Sequence, residues 1–277
     1  MTSAHTRPRK RFGQHFLIRP EITRRILGLA ELSGTESVLE IGPGRGALTA
    51  ELLKQCRRLV LIEIDRDLVA DLRTRFGAEP NVRIVEGDVL KIDLAAELGD
   101  DAPVTVVANL PYNISTPIIS RFVGRPELYR RLVLMLQLEV AERICAEPGG
   151  KEYGALTVAV QLAATARIAM RVPPTAFRPP PKVDSAVIVI EPFARARLSA
   201  EERAAVRRVT RELFAQRRKQ LGNLMRNLTP QPAAILDSLG IDARRRPETL
   251  TPEDFVSIAR ALAAQDQTPS DVAAVRE

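Results

Sequence analysis

A chain of 277 residues with 45% hydrophobic and 27% charged residues can bury a full core and leave room for a smaller second domain, and no apolar run approaches the roughly 20 residues a membrane span needs. Two histidines, His5 and His15, and two distant cysteines, Cys56 and Cys145, lack the spacing of a metal cluster, a disulfide framework or a zinc base deaminase, so no metal is expected. The net charge of +7 is clumped, at Arg7, Arg9, Lys10, Arg11, Arg19, Arg24 and Arg25 and again at Arg203, Arg207, Arg208, Arg211, Arg217, Arg218 and Lys219. That pattern suits a phosphate backbone, with an acidic membrane surface as the competing partner.

In chain order, apolar residues from Ile22 to Ala30 return on one face after Pro20, which predicts a helix over 20–33. Strands are then predicted at Ser37 to Ile41, Leu59 to Ile64, Val82 to Val85 and Val104 to Ala108, with helices at Ala47 to Cys56 and Arg66 to Phe76. Such alternation gives a parallel sheet covered by helices on both faces. Thr116-Pro117 reads as an N-cap with proline at the first helical position, opening a helix through Phe122. Leu132 to Leu136 is a buried strand, and strands at Ala166 to Val172 and Ala186 to Ile190 flank a proline-rich loop, an antiparallel hairpin at the sheet edge. Beyond Pro192 the pattern turns helical. Ser199 with Glu202 forms a capping box for an arginine-rich helix to about Gln216, Gly240 stops a helix, and Thr251-Pro252 with Asp254 starts one running to about Ala264. The expected organisation is an α/β domain over 1–195, a helical domain over 196–265 and a flexible tail over 266–277. The N-terminus lacks the apolar core of a secretory signal, so a cytoplasmic location is expected.

Chemistry gathers at the strand ends. Glu40-Ile41-Gly42-Pro43-Gly44-Arg45-Gly46 joins the first strand of the sheet to a helix, where glycines let a backbone approach a ligand closely. Glu63, ending the next strand, can hold ribose hydroxyls, and these two features suit a dinucleotide or S-adenosylmethionine equally. Asp88, in Gly87-Asp88-Val89, can accept a hydrogen bond from an adenine amine, and three consecutive strand ends then line one adenosine. Asn109-Leu110-Pro111-Tyr112 follows the fourth strand. There the Asn109 side chain and the Leu110 carbonyl, stiffened by Pro111, can accept both hydrogens of an exocyclic amine while Tyr112 stacks on the base.

These residues, with Gly13-Gln14-His15-Phe16-Leu17, Gln137, Glu139-Val140-Ala141 and Phe177 to Ser185, resemble the small-subunit ribosomal RNA adenine dimethyltransferases, the KsgA family, from about Arg11 to Ala263. The resemblance implies an α/β, Rossmann-like S-adenosylmethionine-dependent methyltransferase sheet with a small C-terminal helical domain. It implies dimethylation of the N6 amines of two adjacent adenines in the 3′-terminal hairpin loop of 16S ribosomal RNA, within the immature small subunit; a monomer is expected because nothing in the sequence suggests a symmetric apolar interface. Carried over by position, His15 and Leu17 would close over the cofactor, Gly42 would approach its amino-acid part, Glu63 its ribose and Asp88 its adenine. Asn109 would face both cofactor and target amine, and Tyr112 and Phe177 would sandwich the flipped base. The chain departs from the family pattern at Arg11-Phe12, Leu138 and Gln220. Two alternatives stay open: a large-subunit RNA adenine methyltransferase of the antibiotic-resistance type, and a non-catalytic RNA-binding assembly factor.

Overall fold

The computed structural model describes residues 14–266. Arg7, Arg9, Lys10 and Arg11 of the first basic group, Gly13, and all but the first residue of the expected tail lie outside them. The elements run β1 (Phe16–Leu17), α1 (Pro20–Ala30), β2 (Ser37–Ile41), α2 (Thr49–Leu52), β3 (Arg58–Glu63), α3 (Arg66–Phe76), β4 (Val82–Glu86), α4 (Leu94–Leu98), β5 (Val104–Asn109), α5 (Ser115–Val123), β6 (Tyr129–Gln137) and α6 (Leu138–Ile144). They continue through α7 (Ala155–Ala163), β7 (Ala164–Val172), β8 (Phe177–Arg178), β9 (Ser185–Pro192), α8 (Ala200–Phe214), α9 (Leu221–Leu224), α10 (Pro232–Ser238) and α11 (Pro252–Asp266).

Seven strands form one sheet in the order β4-β3-β2-β5-β6-β9-β7. The first five are parallel, and β9 and β7 close the far side antiparallel. The expected Rossmann-like α/β fold is therefore present, with the expected edge hairpin supplied by β7 and β9. Every residue of β2 is buried, as are all but the first of β3 and all but the last of β5, because helices cover both faces of the parallel core; β4, at the edge, is only half-buried.

Local differences from the sequence reading have local causes. The helix expected over 47–56 shrinks to α2, because Gly42, Gly44 and Gly46 sit at positive φ and their loop is closed by the Gly46 amide donating to the Pro43 carbonyl. Helix α5 starts at Ser115 with Ile114 as N-cap, so Pro117 occupies the third helical residue, where a missing N–H still costs nothing. The two-residue pair β1–β8 was not anticipated.

The described residues fall into two compact units, one of 14–145 with 163–194, the other of 146–162 with 195–266. Segment 146–162 thus belongs with the helical unit and not with the expected first domain. Its Tyr153, Val158 and Leu162 are built into the second core, beside Val209, Leu213, Phe255 and Ile258. Tyr153 packs edge-on against Phe214, which stacks on Phe255 at 5.4 Å. The capping box of Ser199 with Glu202 opens α8 as expected.

The Tyr153 hydroxyl is buried with no hydrogen-bond partner among the described residues. An unpaired buried hydroxyl costs about 1–3 kcal/mol of desolvation. Tyr153→Phe keeps the ring contacts and removes the oxygen, so urea unfolding should show a variant at least as stable as the parent, by up to about 1 kcal/mol; a loss of stability would reveal a partner for that hydroxyl.

Candidate active site

Register builds the site. Ile41 of β2 pairs in parallel with Ile62 of β3 and Ala108 of β5, and Glu63 pairs with Glu86 of β4. Gly42, Glu63, Asp88 and Asn109 therefore emerge side by side at the carboxyl ends of adjacent strands. The chain leaves β2 toward β3 and β4 and then returns to β5 on the other side. Such a reversal leaves a crevice between the two halves of the sheet, the usual ligand position in open α/β folds.

A cavity of about 310 Å³ occupies that crevice. Its wall contains His15, Leu17, Gly42, Glu63, Asp88, Asn109, Leu110, Pro111 and Tyr112, so every residue expected at the site except Phe177 is brought together. Gly42 donates its amide to the Ile62 carbonyl at 2.9 Å, sits at φ 63°, and has open space where a Cβ would stand. The result is a bare stretch of backbone facing the cavity.

Two buried carboxyls lie beside it. Glu63, 5% exposed, accepts from the amide of Gly44 at 3.1 Å and from those of Ile64 at 2.9 Å and Asp65 at 3.0 Å. Burial raises its pKa against the pull of these amides. Glu40, 1% exposed, accepts from the Thr49 hydroxyl at 2.7 Å. Burial, reinforced by the charge of Glu63 and only partly opposed by Thr49, pushes Glu40 up to about 8. Asp88 folds its own loop, accepting from the Leu90 amide at 2.9 Å.

At the end of β5 the Asn109 amide nitrogen donates to the His15 carbonyl at 2.9 Å, which leaves the side-chain oxygen as the acceptor for a ligand. The Leu110 amide is held by the Met135 carbonyl at 2.9 Å, fixing the turn to β6. Tyr112 shares a hydrogen bond with Ser185 at 2.6 Å, and its ring is stacked on His15 at 5.5 Å. The His15 Nδ1 donates to the Pro179 carbonyl at 2.8 Å.

Phe177 departs from its expected place. It is 3% exposed and packed in the first core with Leu17, Met170, Val172 and Ala176. In β8, Phe177 pairs with Leu17 and packs with it in the core, whereas the next residue, pointing the other way along the strand, is Arg178 on the cavity wall. The aromatic partner of Tyr112 is His15, not Phe177.

The second basic group also divides. Arg217 donates to the carbonyls of Lys151 and Tyr153, Arg203 to that of Leu198, and Arg211 lies 3.6 Å from Glu212. Arg207, Arg208, Arg218 and Lys219 are exposed. Sequence reasoning missed Ile64, 45% exposed on the cavity wall, and Arg178; a lone apolar residue after a strand and a two-residue strand carry no periodic signal. It quoted Glu40 without assigning it a role.

The sequence pattern of the family described as "Ribosomal RNA adenine dimethylase" matches residues 5–264. The chain belongs to that family. The ribosomal RNA small subunit methyltransferase A of Syntrophotalea carbinolica is 46% identical over 260 residues, covering 92% of this chain and 97% of that protein. Its counterpart in Geobacter sulfurreducens is 43% identical over 265 residues, covering 93% and 96%. Among solved structures, a dimethyladenosine transferase from Plasmodium falciparum superposes with a TM-score of 0.78 at 26% identity, covering 91% of this chain and 98% of that one. The 23S rRNA methyltransferase ErmE gives 0.67 at 26% identity, covering 90% and 99%. Membership makes the protein an S-adenosylmethionine-dependent rRNA adenine dimethyltransferase. The cavity fits that cofactor, with bare backbone at Gly42 for close approach and acidic side chains at Glu40, Glu63 and Asp88 for hydroxyl, amine and cationic groups.

The raised pKa of Glu40 has a consequence for stability. Below its ordinary value of 4.5 both folded and unfolded chains carry the proton; between 4.5 and about 8 only the folded chain keeps it. The unfolded state releases a proton there, so stability falls as pH rises through that window. Urea unfolding without cofactor should show this decline, and Glu40→Gln should flatten it and be more stable than the parent at about pH 8; parallel pH curves for the two proteins would place the Glu40 proton elsewhere.

Proposed function

We propose that the protein dimethylates the N6 amines of two adjacent adenines in the 3′-terminal hairpin loop of 16S ribosomal RNA, acting as a monomer in the cytoplasm on an immature small subunit. The observation that carries this reading is Asn109, anchored through its amide nitrogen to His15 with its oxygen free to accept, on a turn fixed at Leu110 and adjoining the Gly42 loop. No helix among the described residues is long and apolar enough to cross a membrane.

In this reading Glu63 holds ribose hydroxyls, Asp88 accepts from the cofactor adenine, Gly42 lets the amino-acid part approach, and His15 and Leu17 cover the site. S-adenosylmethionine, when bound, supplies an electrophilic methyl group. The Asn109 side-chain oxygen and the Leu110 carbonyl accept the two hydrogens of the target amine. Those bonds turn its delocalised nitrogen lone pair toward the methyl and stabilise the positive charge that builds on nitrogen. The proton leaves after transfer, so no strong base has to precede attack.

Extruding the base costs a few kcal/mol. A single stacking contact returns roughly 1–3 kcal/mol. Tyr112 reaches the cavity wall and supplies one contact, whereas Phe177 is packed in the core. We therefore assign stacking to Tyr112, and the remainder of the cost to amine hydrogen bonds and phosphate contacts from exposed Arg207, Arg208, Arg218 and Lys219. The large-subunit alternative loses ground to the small-subunit names of the 46% and 43% identical relatives.

Labelled S-adenosylmethionine offered to immature small subunits and to large-subunit RNA, with nucleosides identified by mass spectrometry, tests the reading. Dimethyladenosine is expected in small subunits alone, and Asn109→Ala should slow transfer by at least about 100-fold. Product only in large-subunit RNA would move the substrate; RNA binding without transfer would leave the assembly-factor reading. In a separate titration, Arg207→Ala with Arg208→Ala should weaken RNA binding uniformly and reduce the salt slope by about 1 for each lost phosphate contact.

A further inference from the structure

Arg121 lies in the last turn of α5, outside the cavity wall, half-buried. Its Nη1 donates to the Val89 carbonyl at 3.0 Å and its Nη2 to the Ile92 carbonyl. No carboxylate pairs with it among the described residues, so the guanidinium is given over to two main-chain oxygens of one loop. That loop, 87–92, has no strand or helix of its own, yet Asp88, Val89 and Leu90 all face the cavity.

What else holds the loop is local. The amides of Lys91 and Ile92 return to the Asp88 carbonyl at 2.8 and 3.0 Å, and the Leu90 amide to the Asp88 carboxylate. At its start the Gly87 amide donates to the Glu63 carbonyl at 2.8 Å, and Ile92 packs so closely on Gly87 that a Cβ there would stand 2.9 Å from Ile92 Cδ1. These bonds shape the turn without tying it to the side of the crevice that carries β5. Arg121 makes that tie. Helix α5 hangs from the Asn109–Tyr112 turn, since the Ile114 amide donates to the Pro111 carbonyl and the Ser115 hydroxyl to the Tyr112 carbonyl. A planar guanidinium with two parallel donors fixes direction as well as distance, which an ammonium cannot do.

We propose that Arg121 is a positioning residue for cofactor recognition: by gripping the Val89 and Ile92 carbonyls from α5 it sets the Asp88 carboxylate where it can select a 6-aminopurine. This rests on the reading that Asp88 accepts from the cofactor adenine. Loss of the grip leaves the two carbonyls to water and lets the Asp88 turn drift, so the ligand's amine meets a misplaced acceptor while the Gly42 and Glu63 contacts stay as they are.

The test compares binding of S-adenosylhomocysteine with S-inosylhomocysteine, in which an oxo group replaces the 6-amine, by calorimetry on the full chain, together with KM and kcat for S-adenosylmethionine and thermal unfolding. Arg121→Ala should raise KM on the order of tenfold, with a smaller change in kcat, and shrink the preference for the amine-bearing ligand by a similar factor. Arg121→Lys should recover part of that preference, since one ammonium can serve one carbonyl but not the fork. Arg121→Gln serves if the alanine variant does not fold, and an intermediate loss is expected. Asp88→Asn is the control for the underlying reading. If Asp88→Asn leaves the preference intact, the Asp88 reading fails and this inference falls with it. If Asp88→Asn abolishes the preference while the Arg121 variants change only the melting temperature, Arg121 is a structural residue and the inference alone is overturned.

Discussion

Parallel pairing of β2 with β3 on one side and β5 on the other is the constraint on which the site depends. Because the register is strict, with Ile41 opposite both Ile62 and Ala108, the glycine loop, Glu63 and Asn109 must emerge at one level. A slip of one residue would turn each side chain to the other face and bury what now faces the cavity. The near-complete burial of β2, β3 and β5 makes such a slip costly, so the hydrophobic pattern of these strands fixes the positions of Glu40, Glu63 and Asn109, which they carry at or near their ends.

Charge is arranged on the same economy of position. The cavity wall collects Glu40, Glu63 and Asp88, and burial holds the first two toward their protonated forms. A ligand that is cationic at its sulfonium and amino groups favours the opposite, ionised form, so ligand charge and carboxylate charge stabilise one another when they meet. Arg45 and Arg178 also reach the wall, while much of the protein's positive charge lies elsewhere, in part on the exposed arginines of α8. Buried carboxyls in the cavity and exposed arginines on α8 thus suit a cationic cofactor and a polyanionic substrate respectively.

The parts of this arrangement that could be read from sequence are those with a repeating signal. Strand runs at 37–41 and 104–108, the glycine spacing after Ile41 and the Asn-Leu-Pro-Tyr turn each announce themselves within a few residues, and the order in which they occur identified the family. The parts that could not be read depend on pairings distant in sequence. Phe16 and Leu17 find Arg178 and Phe177 some 160 residues away, in strands too short to show alternation, and that pairing decides which of Phe177 and Arg178 reaches the cavity. The second unit misled for a related reason. Segment 146–162 sits between two strands of the first sheet, so linear order suggested one continuous domain, while Tyr153, Val158 and Leu162 complete a core made mostly by residues beyond 195. Arg217 looked like a phosphate ligand by composition, yet its guanidinium serves the carbonyls of Lys151 and Tyr153.

The same short pair ties the covering segment to both halves of the chemistry. The His15 carbonyl orients the Asn109 amide, the His15 ring lies on Tyr112 and bonds Pro179, the Ile18 amide reaches the Ala176 carbonyl, and Phe16 lies under the guanidinium of Arg45 while crowding Gly44. Residues 14–18 therefore touch the glycine loop, the Asn109–Tyr112 turn and the 176–179 loop at once. In the proposed reaction, a base that stacks on the face of Tyr112 now covered by His15 displaces that ring and breaks its bond to Pro179. Stacking on one ring, at roughly 1–3 kcal/mol, does not exceed the cost of extrusion. In the proposed reaction, phosphate contacts to the rest of the RNA have to supply that difference.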